Sequence, residues 1–360
     1  MKIIEVIPHL KSGGAEKMVV DLSNTFEKMG HDVKVVTLFK PEKDDLLYSQ
    51  LDSEVEKFHL GKKVGNDWSI FLKLLKFIKN ECPAVVHFHI GSIKYGLLSV
   101  LCYRKCKYFA TIHSEAKREA GKGIEKWVRK FMFGRNLMTP ITISLESELS
   151  FKQFYGYDTR MIANGTTSYS KDTNIVELWD KYHKGVDFLF IHAGRIHPVK
   201  NQIMLISAVE KLLQEGYKIR LLILGRGDNK EIVQYIIRHS SDNIVYLGEK
   251  TNVRDYVSIS DAFCLSSLQE GLPITALEAF SVGTPVISTP VGGCVNIVTD
   301  GKTGFLSKDV SENSYMQAIK MFVEASEEKR NSMRSSCLNE FNEKYSIDRC
   351  AKEYINVFNI

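Results

Sequence analysis

The stretch Glu270-Gly271-Leu272-Pro273-Ile274-Thr275-Ala276-Leu277-Glu278 sets two carboxylates around a glycine turn and a helix start, with seven residues between them. Pro273 suits the first helical position, where a missing N–H removes no hydrogen bond. The N–H groups of Gly271, Leu272 and the turn after them then face outward, and the helix dipole favours an anion there. Glu278 falls about a turn and a half into that helix, able to accept two hydrogen bonds from vicinal hydroxyls. Phosphate donors beside a diol acceptor suit a nucleotide sugar. The plainer alternative is a surface helix with two solvated glutamates.

Outward from this segment, apolar runs and periodic helices alternate along the chain. Strands are expected at Ile3–Ile7, Val33–Leu38, Val85–His89 and Tyr108–Ile112, with a helix over Ala15–Met29 closed by Gly30. A second series has strands at Phe188–Ala193, Arg220–Leu224, Ile244–Leu247, Ala262–Leu265 and Pro285–Ser288, and helices at Gln202–Gln214, Lys230–His239, Val253–Ser258 and Pro273–Val282. Such alternation implies parallel sheets covered on both faces. The polar stretch Thr166–Lys184 separates the two series, so the expectation is α/β, with two Rossmann-like domains and a linker. A last helix, Ile347–Phe358, puts Ile347, Ala351, Tyr354 and Phe358 on one stripe.

Ligands of open parallel sheets bind beyond the carboxyl ends of the strands. Gly194-Arg195-Ile196-His197-Pro198-Val199-Lys200-Asn201 follows one such strand, and both Arg195 and Lys200 suit a diphosphate, Arg195 as a bidentate fork and Lys200 as a point charge. Gly225-Arg226-Gly227-Asp228 follows the next, where glycine permits close approach of a ligand. The Glu270–Glu278 segment and Pro290-Val291-Gly292-Gly293 follow two more. In the first half, Lys11-Ser12-Gly13-Gly14-Ala15-Glu16 reads as a glycine loop facing a cleft or as a plain strand-to-helix turn, and it is not GxGxxG. His113 ends the Tyr108–Ile112 strand, placed to contact a sugar or to serve the core. His87 and His89 share one strand face without an evident third metal ligand, so core or cleft-lining roles are preferred.

The chain has 360 residues, 44% hydrophobic and 25% charged, the balance of a soluble globular protein. Its seven cysteines form no CxxC pair; Cys102 and Cys106 would be helix neighbours but lack partner ligands. Idle thiols suit a reducing cytoplasm. No apolar run approaches the ~20 residues of a membrane span, and the N-terminus reads as a strand, not a leader. The net charge of +5 is uneven. Lys73, Lys76 and Lys79 recur at helical spacing, and Lys117, Arg118, Lys122, Lys126, Arg129, Lys130 and Arg135 interleave with Trp127, Val128, Phe131 and Phe133. Such faces suit an anionic membrane surface or simply a solvated amphipathic helix. No nucleic-acid-binding module is present, so nucleic acid is not an expected partner.

Gly13-Gly14-Ala15-Glu16, His113, Asn164-Gly165, Gly194-Arg195 with Lys200-Asn201, Gly225-Arg226-Gly227, Glu270 and Glu278, Gly283-Thr284-Pro285-Val286-Ile287 and Gly301-Lys302-Thr303-Gly304-Phe305 follow one another in a specific order and spacing. In that order the chain resembles the family-4 retaining glycosyltransferases of glycosyltransferase group 1. The resemblance implies the GT-B fold, two Rossmann-like domains facing a cleft. Residues 1–165 would form the acceptor domain, joined by a crossing helix at 345–360; 166–184 would be the linker and 185–344 the donor domain. It implies that Glu278 bonds the ribose, that Arg195 and Lys200 hold the diphosphate, and that Glu270 with the N–H groups of Gly271 and Leu272 contacts the sugar. His113 would approach that sugar from the first domain, with Gly14 and Gly225 lining the donor. Three positions depart from the family: Asn296 stands where Glu is common, Thr166-Thr167 follow Asn164-Gly165 in place of an aliphatic residue and Asp, and Ser114 follows His113.

The resemblance implies a retaining hexosyltransferase, and the expectation is that it moves sugar from a UDP- or GDP-sugar to a glycan or polyprenyl-linked acceptor in bacterial surface polysaccharide assembly. The enzyme would be cytoplasmic, or peripheral on the inner face of the membrane. Arg195, Lys200 and the N–H groups near Gly271 would stabilise the leaving diphosphate. No Asp-x-Asp motif is present to hold a metal, so neither metal nor cofactor is expected. Glu270 would orient the sugar during front-face attack, or act as a covalent nucleophile. The alternatives are a GT-B nucleotide-sugar epimerase and an inactive glycosyltransferase-like partner subunit.

Overall fold

The computed structural model describes residues 1–11, 13–42, 45–121, 123–170, 175–227 and 229–360. Ser12, Lys122, Asp228 and residues 171–174 of the expected linker lie outside the described residues. The chain divides into two compact units, Met1–Thr166 with Ile347–Ile360, and Thr167–Ser346. Within the 166–184 span, Ile175–His183 is a helix of the second unit, held by His183 Nε2 on Ile259 O at 2.7 Å and Arg220 Nη1 on Tyr182 O at 2.6 Å.

The first unit contains β1 (Lys2–Ile7), β2 (Asp32–Thr37), β3 (Glu56–His59), β4 (Val85–His89), β5 (Lys107–Ile112), β6 (Thr139–Thr142) and β7 (Arg160–Met161). They form a parallel sheet in the order β3-β2-β1-β4-β5-β6-β7. Side chains alternate across it. Ile4, Val6, Val86, Phe88 and Ala110 join one buried cluster with Ile70, Leu74 and Ile78 of the helix Ser69–Glu81. The opposite face meets Phe26 of the helix Gly14–Lys28 and Tyr354 and Phe358 of the last helix, Ile347–Asn359.

The second unit contains β8 (Phe188–Ala193), β9 (Ile219–Leu224), β10 (Ile244–Gly248), β11 (Ala262–Leu265), β12 (Val286–Ser288) and β13 (Gly304–Leu306), a parallel sheet ordered β10-β9-β8-β11-β12-β13. Phe190, Leu221, Ile223, Ala262 and Ile287 pack with Leu205, Val209 and Leu212 of the helix Gln202–Gln214 and with Ile319 and Phe322 of the helix Glu312–Val323. Both sheets reverse strand order once, between β1 and β4 and between β8 and β11. These reversals open the crevices where parallel α/β sheets take ligands.

Four strands are absent from the sequence reading, for local reasons. All four residues of β3 are exposed at the sheet edge, and β7 and β13 have two and three residues. β6 contains Pro140, which argues against a strand; β7 pairs only with Ile141 and Thr142, so Pro140 needs no donor on that side. Cys102 ends the helix Leu97–Cys102 and Cys106 lies beyond it, so the two are not helix neighbours. All seven cysteines are free thiols.

Candidate active site

β8 and β11 run side by side, and the loops that leave them are stitched together. His197 caps a short 3-10 turn, Pro198–Lys200, its Nδ1 accepting from Val199 N at 3.2 Å. Leu268 N donates to Val199 O at 2.7 Å, and Ser266 Oγ donates to Lys200 O at 2.8 Å. These bonds bring Lys200 Nζ to 2.6 Å from Glu270 Oε1, which also accepts from Ser267 Oγ at 2.5 Å. The side chains are 20% and 9% exposed, so the pair is largely shielded from solvent. Asn201 takes the left-handed conformation, φ 53, that turns the chain into the next helix; a short polar side chain tolerates it.

The turn after Glu270 differs from expectation by one residue. Pro273 is the helix cap, not the first helical residue, because its ψ of 108° is extended. Its carbonyl accepts from Ala276 N at 3.0 Å, and the helix runs Ile274–Ser281. Gly271 O accepts from Gly293 N at 2.6 Å, tying this turn to the glycine turn after β12. A Cβ on Gly293 would stand 2.2 Å from Gly271 O, so glycine is needed there. Among the described residues, the N–H groups of Gly271 and Leu272 donate to no protein acceptor. Leu272 is buried and Glu278 half-buried.

Arg195 is exposed on the loop after β8, its carbonyl accepting from Gln202 Nε2 at 2.9 Å. Gly225, at φ 149, packs against that loop; a Cβ there would lie 1.8 Å from Gly194 O. The fully buried His192 anchors β8, with Nδ1 2.9 Å from Cys264 O and Nε2 3.2 Å from Gln202 Nε2. Burial holds its pKa down at about 4. Thus Glu270, Arg195, Lys200, Gly225, Gly271, Leu272 and Glu278 belong to the second unit, and Lys200 and Glu270 are in direct contact.

His113 and Gly14 belong to the first unit. Gly14, exposed, opens the helix Gly14–Lys28. His113 follows β5, and Glu119 holds its turn by accepting from His113 N at 2.7 Å and Ser114 N at 3.1 Å. Burial pushes the Glu119 carboxyl up against the pull of Arg129, whose Nη1 stands at 3.7 Å. Arg129 is 1% exposed and also pairs with Glu125 at 2.9 Å, which removes it from the expected basic surface.

The reading of His87 and His89 as lacking a third partner is corrected by Glu5. β1 register sets Glu5 opposite His87. His87 Nδ1 lies 3.0 Å from Glu5 Oε2, and His89 Nε2 lies 2.6 Å from the same oxygen. His87 Nε2 meets Thr111 Oγ1 at 2.7 Å, and Thr111 Oγ1 meets Tyr354 OH at 2.9 Å. His89 Nδ1 meets His113 Nε2 at 2.9 Å. One ligand atom from each of Glu5, His87 and His89 lies within 4.8 Å of the other two, the composition of a metal site. The signal was legible: a lone carboxylate in the apolar run Ile3-Ile4-Glu5-Val6-Ile7 is a buried charge, which needs partners. A separate cavity of about 560 Å³, lined by Arg104, Lys107, Arg135 and Arg160, opens at the amino ends of β5 to β7, away from these strand ends.

A family profile described as "Glycosyl transferases group 1" matches residues 177–337, and one described as "Glycosyltransferase Family 4" matches residues 12–167. The UDP-Gal:alpha-D-GlcNAc-diphosphoundecaprenol alpha-1,3-galactosyltransferase of Escherichia coli is 25% identical over 86% of each chain. A Campylobacter jejuni alpha-1,4-N-acetyl-D-galactosaminyltransferase, named for a GalNAc-containing diNAcBac-PP-undecaprenol, is 25% identical over 85% of this chain and 84% of its own. Among solved structures, Anabaena Alr3699/HepE in complex with UDP superposes with a TM-score of 0.84 at 20% identity, covering all of both chains.

Proposed function

Because this chain belongs to the group 1 glycosyl transferases and has the GT-B fold, we propose that it transfers a sugar, with retention at the anomeric carbon, from a nucleoside diphosphate to a glycan or lipid-linked glycan. The observation that carries the reading is the Lys200–Glu270 pair at the strand reversal, beside the N–H groups of Gly271 and Leu272. Breaking a sugar–phosphate bond develops negative charge on the departing diphosphate. Lys200, Arg195 and those amides form a positive, preorganised set that stabilises it. Lys200 exchanges Glu270 for phosphate when donor binds, and the released carboxylate turns to the sugar. Glu278 holds the ribose, and His113 is a further catalytic residue, in the first unit. Two cations and a helix start supply the charge that a divalent metal would otherwise carry, so turnover is metal-independent.

Two of the relatives are named for undecaprenol-linked diphosphates, which supports a polyprenyl-linked acceptor and a place in surface polysaccharide assembly. The helix Ile124–Gly134 supports docking to an anionic bilayer: Ile124, Trp127 and Phe131 are 72%, 67% and 43% exposed beside Lys126 and Lys130. No helix among the described residues is long and apolar enough to cross a membrane.

Titration calorimetry with UDP, GDP, ADP, CDP and TDP tests the donor site; one of them, UDP first, should bind with micromolar affinity. No heat from any at millimolar concentration would sink the proposal.

A further inference from the structure

The cavity of about 560 Å³ at the amino ends of β5 to β7 lies within the first unit and contains none of the residues assigned to sugar transfer. Strand register builds it. Phe109 of β5 stands opposite Thr139 of β6, and Ile141 of β6 opposite Arg160 of β7, so Lys107, Arg135 and Arg160 converge at one end of the sheet. Arg104 joins them from the loop before β5. Lys107 Nζ donates to Phe358 O at 3.1 Å and to Asn359 O at 3.2 Å. A cation on those last carbonyls ties down the end of the final helix, which brings Val357 and Ile360 to the cavity beside Val100 and Leu137. No acidic side chain lines it. Glu353, in an adjoining groove that shares Arg160, is already paired with Arg349 at 2.7 Å. The guanidinium groups of Arg104, Arg135 and Arg160 make no hydrogen bond or ion pair among the described residues.

Four cations around one recess repel one another, and a cleft lined by one sign of charge concentrates counter-ions. Arginine forks match phosphate oxygens two at a time. The volume falls among small-molecule pockets of about 300–1,000 Å³, so there is room for more than a bare ion, and the wall beside the cations is apolar. We propose that this cavity binds a phosphate ester with an apolar body, at a site of the first unit that owes nothing to the nucleotide-sugar residues of the second. The headgroup of an anionic lipid and a soluble organic phosphate share that chemistry. Trp127, Phe131 and Arg135 recur every four residues, so the exposed rings of the helix Ile124–Gly134 and the cavity rim lie along one helix face. A bilayer that takes the rings therefore offers its headgroups to the arginines.

The test uses the full chain and two double variants. Arg135→Gln with Arg160→Gln removes two cavity cations, and Lys40→Gln with Lys63→Gln removes the same charge beyond the carboxyl ends of β2 and β3. All four side chains are exposed and unbonded among the described residues, so both variants should melt with the unmodified protein. The probes are phenyl phosphate and dihexanoyl phosphatidylglycerol below its micelle concentration, by titration calorimetry, and phosphatidylglycerol vesicles, by co-sedimentation. Submillimolar binding of at least one is expected. The arginine variant should weaken it about tenfold or more, the scale of one hydrogen bond to a charged group. The lysine variant should stay within about twofold, because exposed charges far from a site are screened. Loss of the short-chain lipid and of vesicles together identifies a headgroup. Loss of phenyl phosphate with vesicle binding unmoved identifies a soluble phosphate. Either supports the site. No binding of any probe, or equal weakening in the two variants, would overturn it. Absence of UDP binding would remove the donor reading and leave this result standing.

Discussion

Lys200 Nζ and Glu270 Oε1 meet at 2.6 Å although 70 residues separate them in sequence. They meet because β8 and β11 are neighbours at the point where the second sheet reverses. The loops leaving both strands share two hydrogen bonds, so the pair is held by backbone and not only by its own attraction. A shielded lysine is thereby kept oriented and ready to trade one anion for another.

Replacing Lys200 by Ala should weaken UDP binding at least about tenfold, the scale of one hydrogen bond to a charged group. Glu270→Gln should leave UDP affinity within about threefold and lower turnover about a hundredfold or more. Calorimetry and initial rates separate the two. Equal losses of affinity in both variants would contradict the exchange of partners.

Gly225→Ala should lower stability by about 2 kcal/mol or more, since the new Cβ would meet Gly194 O at 1.8 Å. Gly194 is backbone and cannot rotate away. Urea unfolding measures the change; a midpoint within error of the unmodified protein would show that the two strand-end loops are not in contact.

Acid should weaken the protein in two stages. His89 and His192 are neutral in the folded state down to about pH 4, whereas the unfolded chain binds those protons near 6.5. Stability is thus intact above 6.5 and declines as pH falls toward 4, by roughly 3 kcal/mol per imidazole. Glu5 stays ionised to about 2 and the unfolded chain protonates it near 4.5, so its contribution is present above 4.5 and disappears between 4.5 and 2. Urea midpoints that stay flat from pH 7 to 5 would refute the first stage.

Trp127→Ser should reduce binding to anionic vesicles several-fold and leave thermal stability unchanged, because the ring is 67% exposed. Arg129→Ala should do the reverse. Removing a buried cation strands Glu119 and Glu125 and costs about 3 kcal/mol. Co-sedimentation and thermal melting distinguish the two, and equal vesicle binding by both variants would count against the docking face.

Turnover in excess chelator should match turnover in added magnesium, and the product should keep the donor's anomeric configuration by NMR. Activity abolished by chelator and restored by magnesium or manganese would overturn the charge argument. A trapped glycosyl–Glu270 adduct would overturn the front-face route.

Much of the fold was legible because burial leaves a record along each segment. Ala262–Leu265 is a continuous apolar run between turn residues, Val85–His89 is one interrupted only by His87 and His89, and both are strands within those bounds. β3 is missing from that record because no side chain in it is buried. Lys200 and Glu270 could each be named from their places after strands. Glu5 could have been named too, as a carboxylate in an apolar run, yet its partners lie about 80 residues on, in β4.

Local sequence determined the parallel-sheet units, their order and the strand ends that carry charge, because periodicity reports which faces of a segment avoid water. Tertiary structure alone decided that Lys200 grips Glu270, that Arg129 is interior and that Glu5 sits between two histidines. Those facts depend on which strands become neighbours and in what register. Strand order is set by the packing of the whole unit and leaves no periodic trace in any one segment.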